Sequence, residues 1–590
     1  MAFDSMTLSA IVGELTPQLI GAKINKIHQP DAYTILLKCH SQAGPLRLLL
    51  SAHPDNGRIV ATESSKENPP KAPMFLMVLR KWLEGARITG FHCTEGERVA
   101  TLEAEGWDEL GDLQPLRLVT EIMGKHSNII LYNEQGIIID GIRRYGSHLS
   151  RYREVLPGKP YLPPPPMERL ALPPKDEEAL ASLLYEHAEQ ELALTLRREI
   201  MGISPLLADH VLAAAGLPTE ITPEQLGAYE IERIYQVLCQ LGQCIRKQSY
   251  QPTLRRVQGR FIDFAAIAPA TWLQEEQLSM ESINRAVDSF YQQREEEQQF
   301  RKAQSELNRS LRHHLARLNK KIALEETDLC QSEAADAYKD AGDLLSAYLW
   351  HISKGMEQAE LPSFSNPEQL ITIKLDPALT PQENVQRYYR RYAKAKKARG
   401  SIQKQLDQNY QERDYLLSIE QSMNDSRSID ELAVIEREAV NAGYHKASGS
   451  QKPGAKANAE KRMPSLPPRQ VRSQDGFTIL IGRNNKQNDK LSLSLAKADD
   501  IWLHTQKIPG SHVIIVSEGR EVPENTLAEA ASYAAWFSKA KDSSQVPVDY
   551  LPAGRLRKPA GSRPGYVIFT GQRTLYVQPR EPQEIIEDRQ

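Results

Sequence analysis

The chain has 590 residues, of which 40% are apolar and 25% charged, and its formal net charge is −3. Because this length is far above the usual size of one hydrophobic core, we expect three to five folding units. Five cysteines, never spaced as Cys-x-x-Cys, argue against a disulfide scaffold and a structural zinc site. No apolar run is long enough for a membrane helix, and the first residues lack the features of a secretory signal, so the sequence predicts a cytoplasmic protein.

Charge is unevenly distributed along this nearly neutral chain. Residues 387–399 contain seven lysines and arginines and no acid, and residues 551–580 contain six and no acid. Local basic surfaces on a chain of small net charge are typical of specific docking sites for polyanions.

Residues 1–170 alternate short β-branched runs with turn residues, which predicts strands and hairpins. One helix interrupts them, since apolar side chains recur there at helical spacing, namely Phe75, Val78, Leu79, Trp82 and Leu83. Four consecutive prolines, at 163–166, hold an extended chain and mark the end of this unit.

The next segment, 171–250, is predicted to be helical. Ser204 before Pro205 predicts the start of a helix, and Gly216 predicts its end. The turn before Ser204 fits either a plain helical hairpin or a helix–hairpin–helix whose amides face a phosphate, and the residues alone favour the plain hairpin.

Two long polar helices are predicted within residues 281–440. Their apolar residues follow coiled-coil spacing, which predicts an antiparallel coiled-coil hairpin. These residues are Leu311, Leu315, Leu318, Ile322 and Leu329 in the first helix, and Ile402, Leu406, Tyr410 and Leu417 in the second. The insert between the helices predicts a small cap, formed by a helix followed by a strand.

Residues 446–470 have only Met463 and Leu466 as large apolar side chains, which predicts a flexible basic linker, assigned to 441–470. From residue 471 the strand pattern returns around one helix and predicts a compact α+β domain, with 565–571 as one of its strands. The chain as a whole is therefore predicted to be an α+β multidomain protein.

The sequence signatures of common catalytic sites are missing. His126 and Ser127 are adjacent, which by itself does not make a nucleophile–base pair. A metal-binding or proton-transferring role for His504 and His512 is less expected than turn capping or phosphate contact. We therefore expect no enzyme, no metal site and no cofactor.

A basic helix predicts contact with nucleic acid instead. Arg390, Lys394 and Lys397 share one helix face beside Tyr388 and Tyr392. Cations beside an aromatic platform suit structured RNA. A solvated coiled-coil face is the alternative, and the absence of acids weakens it.

Two C-terminal segments support the same prediction. Arg555, Lys558 and their basic neighbours are interspersed with glycines whose amides can approach a phosphate. A polar loop around Arg483 and Asn485 follows a strand and has no apolar residue to bury, so it is expected to bind a ligand or stay mobile.

The motifs of this chain resemble those of the NFACT family, in its bacterial branch. They occur in the family's order over nearly the whole sequence, as MAFDSMTLSAIVGEL, PMFLMVLRKWLEG, EIMGKHSNIIL, LPGKPYLPPP, MGISPLLADHVLAAAG, AGDLLSAYLWHISKG, LDPALTPQENVQRYYRRYAKAKKA, GRNNKQND, DIWLHTQKIPGSHVII and RKPAGSRPGYVIFTGQRTLYVQP. The resemblance implies five segments: an NFACT-N domain resembling the N-terminal domain of Fpg-type DNA glycosylases (1–170), a helix–hairpin–helix domain (171–280), a coiled-coil middle domain (281–440), a linker (441–470) and an NFACT-R domain (471–590).

The resemblance also implies a function in ribosome-associated quality control. Such a factor binds large ribosomal subunits obstructed by peptidyl-tRNA, recruits alanyl-tRNA and directs untemplated alanine tailing, while the ribosome performs peptidyl transfer. The implied partners are the large subunit, peptidyl-tRNA, alanyl-tRNA and the small RNA-binding protein RqcP. We expect a monomer on the ribosome.

Site residues follow from the matching motifs. The family uses an Asp-Arg pair to hold tRNA, and this chain has a glutamate in place of the aspartate, on a predicted strand. The implied tRNA-binding residues are Glu97, Arg98, Glu121, Ile122, Met123, Lys125 and His126. The residues expected to contact the ribosome and its RNA are Arg387, Arg390, Arg391, Lys394, Lys397, Arg483, Asn485, His504, His512, Arg555 and Lys558.

Two alternative functions remain. A surface adhesin that binds fibronectin would need an export route, which the sequence does not predict. A DNA-glycosylase-like protein would need an N-terminal proline amine as its nucleophile, whereas Ala2 and Phe3 follow Met1 here.

Overall fold

A computed structural model describes the chain except for residues 1–2, 43, 65, 67, 70, 108–111, 148–151, 166–167, 333–334, 365, 367, 447–465 and 583–590. The described part divides into two compact units, residues 1–295 and 296–590. Ala2 and most of the predicted linker therefore lie outside the described residues.

The first unit contains a nine-stranded antiparallel sheet. Its strands are β1 Lys23–His28, β2 Thr34–Ser41, β3 Gly44–Ser51, β4 Arg58–Ala61, β5 Arg87–Cys93, β6 Val99–Trp107, β7 Leu113–Glu121, β8 Asn128–Asn133 and β9 Ile138–Gly141. Their spatial order is β4-β3-β2-β1-β5-β6-β7-β8-β9. Nearly all neighbours in the sheet are neighbours in the chain, which is why the hairpin signals of the sequence predict this region well.

Helices complete the first unit. They are α1 Ser5–Leu19, α2 Met74–Leu83, α3 Glu177–Glu186, α4 Leu192–Glu199, α5 Pro205–Ala214, α6 Ala228–Lys247 and the start of α7 Ile283–Ser332. A small sheet joins β10 Thr253–Val257, β11 Arg260–Ala265 and β12 Gln277–Ser279. One continuous hydrophobic core extends from the large sheet into these helices, so the segments 1–170 and 171–280 pack together.

The predicted start of α5 is present. Ser204 caps α5, because its hydroxyl oxygen accepts a hydrogen bond from the Leu207 amide at 3.3 Å and Pro205 follows it. In α2, three of the five residues predicted from helical spacing are buried (Phe75, Leu79 and Leu83), and the other two, Val78 and Trp82, are partly buried against the same core.

The second unit begins with two long antiparallel helices, α7 and α9 Pro381–Asp425. Gln304 donates to the carbonyl of Met423 at 3.3 Å, and Lys321 donates to Asn409 at 3.3 Å. Residue numbers therefore rise along α7 where they fall along α9, so the two helices run in opposite directions. Their shared apolar core also includes α10 Ile429–Asn441.

A small cap lies between the two helices in the chain. It consists of α8 Ala335–Ala347 and a hairpin of β13 Gln358–Pro362 and β14 Leu370–Lys374. The sequence predicts one strand here, and the structure has two. Strand β13 buries only Ala359 and Leu361, so its apolar pattern is too short to be recognised.

The C-terminal part of the second unit is a six-stranded antiparallel sheet. Its strands are β15 Arg469–Arg472, β16 Thr478–Ile481, β17 Ile501–Thr505, β18 Val513–Val516, β19 Val546–Pro552 and β20 Arg573–Val577, in the order β15-β16-β18-β17-β19-β20. Two helices accompany it, α11 Asn485–Lys490, which continues into a π-helical turn, and α12 Glu524–Trp536.

The prediction of a strand at 565–571 is wrong. Among the described residues, this segment has one bridge, between Arg557 and Ile568, and no longer ladder. Val567 and Phe569 instead pack against a buried cluster around Trp502. Their alternation with polar residues therefore comes from packing onto the domain core and not from membership of the sheet.

Among the described residues, no helix combines the length and the apolar character needed to span a membrane. The same residues contain no group of three or more histidine, cysteine, aspartate or glutamate side chains arranged to hold a metal ion.

Candidate nucleic-acid interface

Two turns lie side by side at one end of the large sheet. The β5–β6 turn contains Glu97 and Arg98, and the β7–β8 turn contains Lys125 and His126. Strands β6 and β7 are paired, with Val99 opposite Glu121. The Ile122 amide donates to the Arg98 carbonyl at 2.9 Å, which joins the two turns directly. The structure thus brings together the residues that the sequence separates by more than twenty positions.

The side chains in these turns differ in exposure. Lys125 and His126 are exposed, and Glu97, Arg98 and Met123 are partly exposed. Glu97 and Arg98 precede β6, so their predicted position on a strand is wrong. These five exposed or partly exposed residues stay the predicted tRNA contact.

Glu121 and Ile122 do not belong to the exposed surface. Glu121 is 0% exposed and Ile122 is 2% exposed, so neither side chain can reach a ligand in this structure. The sequence-based prediction that Glu121 and Ile122 contact tRNA directly is therefore wrong.

A carboxylate that the sequence analysis did not single out lies near Arg98. Burial lowers the pKa of Arg98, and the negative charges of Asp4 and Glu97 oppose this effect. Asp4 also caps α1 by accepting from the Thr7 amide at 2.8 Å, and it accepts from the Ser204 hydroxyl at 2.8 Å. The N-cap pattern at the start of α1 was the available signal for Asp4.

The glycine-containing turn before α5 packs against the β5–β6 turn. Gly96 has a φ of +65°, and a side chain there would place its Cβ 2.1 Å from Cγ of Met201, so both the backbone and the space favour glycine. The Ser5 hydroxyl donates to the Gly202 carbonyl at 3.2 Å. Contacts within the protein therefore hold this turn beside Arg98.

A second cationic region is the α9 basic surface, which we define as the exposed residues Arg390, Arg391, Lys394, Lys396, Lys397 and Arg399. Some of these residues line a groove near the start of α9. Arg387, by contrast, is paired with Asp376, with 2.5 Å between nitrogen and oxygen.

The predicted aromatic platform beside the α9 basic surface is only partly present. Tyr388 is buried and its hydroxyl donates to the Lys374 carbonyl at 2.6 Å. Tyr392 is partly exposed, with the Lys396 ammonium 5.8 Å from its ring centroid. Tyr388 is a core residue of the cap and is not available for base stacking.

The polar loop of the C-terminal domain is buried against α10. Arg483 is 8% exposed and forms an ion pair with Glu431, and Asn485 is 4% exposed and donates to Glu438 at 3.0 Å. Burial raises the pKa of Glu438, and the amide of Asn485 opposes that effect. The predicted contact of Arg483 and Asn485 with RNA is therefore wrong, because both side chains are buried and bind carboxylates of α10.

The two histidines of this domain, His504 and His512, differ in burial. His512 is 3% exposed, and its Nδ1 is 2.7 Å from the Ser492 hydroxyl oxygen. Its ring stands perpendicular to that of His504, with 5.3 Å between centroids. Burial lowers the pKa of both imidazoles. The predicted contact of His512 with RNA is wrong, because its side chain is buried. His504 is partly buried, and its contact with RNA stays a prediction.

Three cations form the C-terminal basic surface, which we define as Lys497, Arg555 and Arg573; all three are exposed. The Gly554 amide donates to the Ala498 carbonyl at 3.1 Å, and Arg555 reaches the Gly571 carbonyl at 3.4 Å. These contacts hold three separate segments together. The predicted Lys558 is instead partly buried in an ion pair with Asp489.

Comparison with known proteins gives the following matches. Residues 4–458 match the NFACT N-terminal and middle domains, and residues 469–575 match the NFACT protein RNA binding domain. The chain is 34% identical to the Rqc2 homolog RqcH of Bacillus subtilis over 98% of both chains. It is 23% identical to the human ribosome quality control complex subunit NEMF over 56% of this chain and 32% of that protein.

A solved structure, the N-terminal part of the fibronectin/fibrinogen-binding protein of Streptococcus suis, is 31% identical over 49% of this chain and 99% of that chain, with a TM-score of 0.41. The likeness to Fpg-type glycosylases stays a prediction. The family assignment depends on the matches along the sequence, which include both NFACT regions in order. This chain therefore belongs to the NFACT family.

Proposed function

We propose that this protein is a ribosome-associated quality control factor. It binds large ribosomal subunits obstructed by peptidyl-tRNA, recruits alanyl-tRNA and directs untemplated alanine tailing of the stalled nascent chain, with RqcP as a further partner. The ribosome performs peptidyl transfer, and this chain supplies binding and orientation. The name of the human relative, a ribosome quality control complex subunit, supports the functional class. Cytoplasmic location follows from this proposal.

The joined β5–β6 and β7–β8 turns carry the tRNA part of the proposal. They present Arg98, Lys125 and His126 close together on one rigid sheet. Arginine and lysine supply the phosphate contacts that dominate affinity for RNA, and Arg98 can also pair with a base edge in two hydrogen bonds.

The α9 basic surface and the C-terminal basic surface are the proposed contacts with ribosomal RNA. Both consist of exposed cations, and the second lies in the region that matches the NFACT RNA binding domain. Phosphate contacts release counterions, so binding of the large subunit should weaken steeply as salt increases.

The test is a reconstituted translation reaction with stalled large subunits. We expect the double variant Glu97→Ala, Arg98→Ala to lose alanine tailing and tRNA binding while it keeps large-subunit binding. The matched control is Glu103→Ala, Arg117→Ala, which removes another glutamate–arginine pair of the same sheet, with 3.1 Å between its charged atoms, away from the two turns. Normal tailing by the first variant would refute the role of the turns.

Neither alternative function gains support from an observation on the described residues. A fibronectin-binding adhesin and a DNA-glycosylase-like protein both stay predictions.

A further inference from the structure

A buried ion pair lies directly behind the β7–β8 turn. Arg153 and Glu121 form two parallel hydrogen bonds, of 2.7 Å and 2.5 Å, and their side chains are 8% and 0% exposed. The Tyr161 hydroxyl donates to the same carboxylate at 3.0 Å. Such two-point pairing fixes direction as well as distance.

The segment that carries Arg153 and Tyr161 is fastened at several further points. Arg153 also donates to the Leu162 carbonyl at 2.8 Å. The Tyr161 ring stacks on Tyr132 of β8, with 4.6 Å between centroids and 7° between planes. The segment therefore holds both β7, through Glu121, and β8, through Tyr132.

The position of Glu121 connects this pair to the proposed tRNA contact. Glu121 is the last residue of β7 and is paired with Val99, the neighbour of Arg98. The next residue, Ile122, bonds to the Arg98 carbonyl, and the turn then presents Lys125. A shift of Glu121 would move both Arg98 and Lys125.

We propose that Arg153 is a positioning residue for tRNA binding, and that Glu121 acts through Arg153 without touching RNA itself. The inference rests on the proposed function of the two turns. The buried pair sets the end of β7 so that the cations on the adjoining turns meet successive phosphates at a fixed spacing. A buried guanidinium whose fork is engaged by a carboxylate is unsuited to bind phosphate directly.

The experiment measures the affinity of the full-length protein for an alanine-accepting tRNA transcript across a range of salt concentrations. The variants are Arg153→Lys, Arg153→Met and the double variant Glu121→Gln, Arg153→Met, in which no buried charge is left without a partner. Lys125→Ala serves as the variant that removes a direct contact. Binding to large subunits and hydrogen exchange of the two turns are measured in parallel.

We expect each Arg153 variant to bind the tRNA about ten- to a hundredfold more weakly, since small misplacements of contact groups have effects of this size. The slope of affinity against salt should stay that of the wild type, because no phosphate contact is removed. Lys125→Ala should instead reduce that slope by about 0.7 to 0.9. Hydrogen exchange should become faster at the two turns, and large-subunit binding should be retained.

Two results would overturn the inference. One is a reduced salt slope in the Arg153 variants, which would make Arg153 a phosphate contact. The other is wild-type affinity in the double variant, which would make the pair dispensable. If Arg153→Met does not fold, the double variant and Arg153→Lys decide the question. Absence of tRNA binding by the wild type would refute the proposed function itself, which is a separate outcome.

Discussion

Removal of the Glu431 charge should destabilise the second unit strongly. Glu431 on α10 is shared by Arg469, at 3.0 Å, and by Arg483, and the three side chains are only 4%, 2% and 8% exposed. The carboxylate also accepts from the Arg427 amide at 2.9 Å. Glu431→Gln keeps the shape and removes the charge, so two buried guanidinium groups lose their counter-ion.

The expected cost is that of breaking a buried ion pair, about 3 to 5 kcal/mol. Burial already lowers the pKa of Arg469, and the negative charge of Glu431 is the largest effect that opposes this lowering. A surface pair in the same unit gives the matched control. Arg427 and Glu581 are 2.6 Å apart with both side chains 52% exposed, so Glu581→Gln should cost about 1 kcal/mol or less.

The assay is native-state hydrogen exchange of α10, β15 and β16 in both variants. Since 1.36 kcal/mol corresponds to a factor of ten, protection in Glu431→Gln should fall by about 2.2 to 3.7 orders of magnitude. The control should change it by less than about tenfold. Equal protection in the two variants would show that water reaches Glu431 and would refute the reasoning.

Three further predictions concern RNA binding, pH and the N-terminus. Replacing Arg390, Lys394 and Lys397 with alanine should weaken large-subunit binding and lower its salt slope by about two to three, and an unchanged slope would exclude them as phosphate contacts. Burial raises the pKa of Asp425 from 3.8 to about 6, so its contribution to stability is present below about pH 4 and is lost as pH rises towards 6. Unfolding free energies of the wild type and Asp425→Asn should therefore diverge over that interval in favour of the variant, and parallel curves would contradict the assignment. Asp4→Ala removes the cap of α1 and should cost about 1 kcal/mol of unfolding free energy in thermal unfolding; an unchanged unfolding temperature would contradict the role of this cap.

Local patterns were sufficient for most of the fold. The consecutive hairpins of the large sheet, the N-cap at Ser204 and the spacing of Phe75, Leu79 and Leu83 each depend on residues within a few positions of one another. Such signals remain readable without knowledge of the rest of the chain. The family motifs likewise singled out Arg98 and Lys125, because a motif is local by definition, although only the structure places these residues in two neighbouring turns.

Which charged residues face solvent was decided only by tertiary structure. Glu121 is buried by Arg153, thirty-two positions away, and Arg483 is buried by Glu431, fifty-two positions away. From sequence alone each of these residues looks like a surface charge, because a lone charged side chain is rarely buried. Burial becomes tolerable only when the fold supplies an oppositely charged partner, and no local pattern announces that partner. The sequence therefore determined the elements and the family, while long-range pairing decided which cations remain available to RNA.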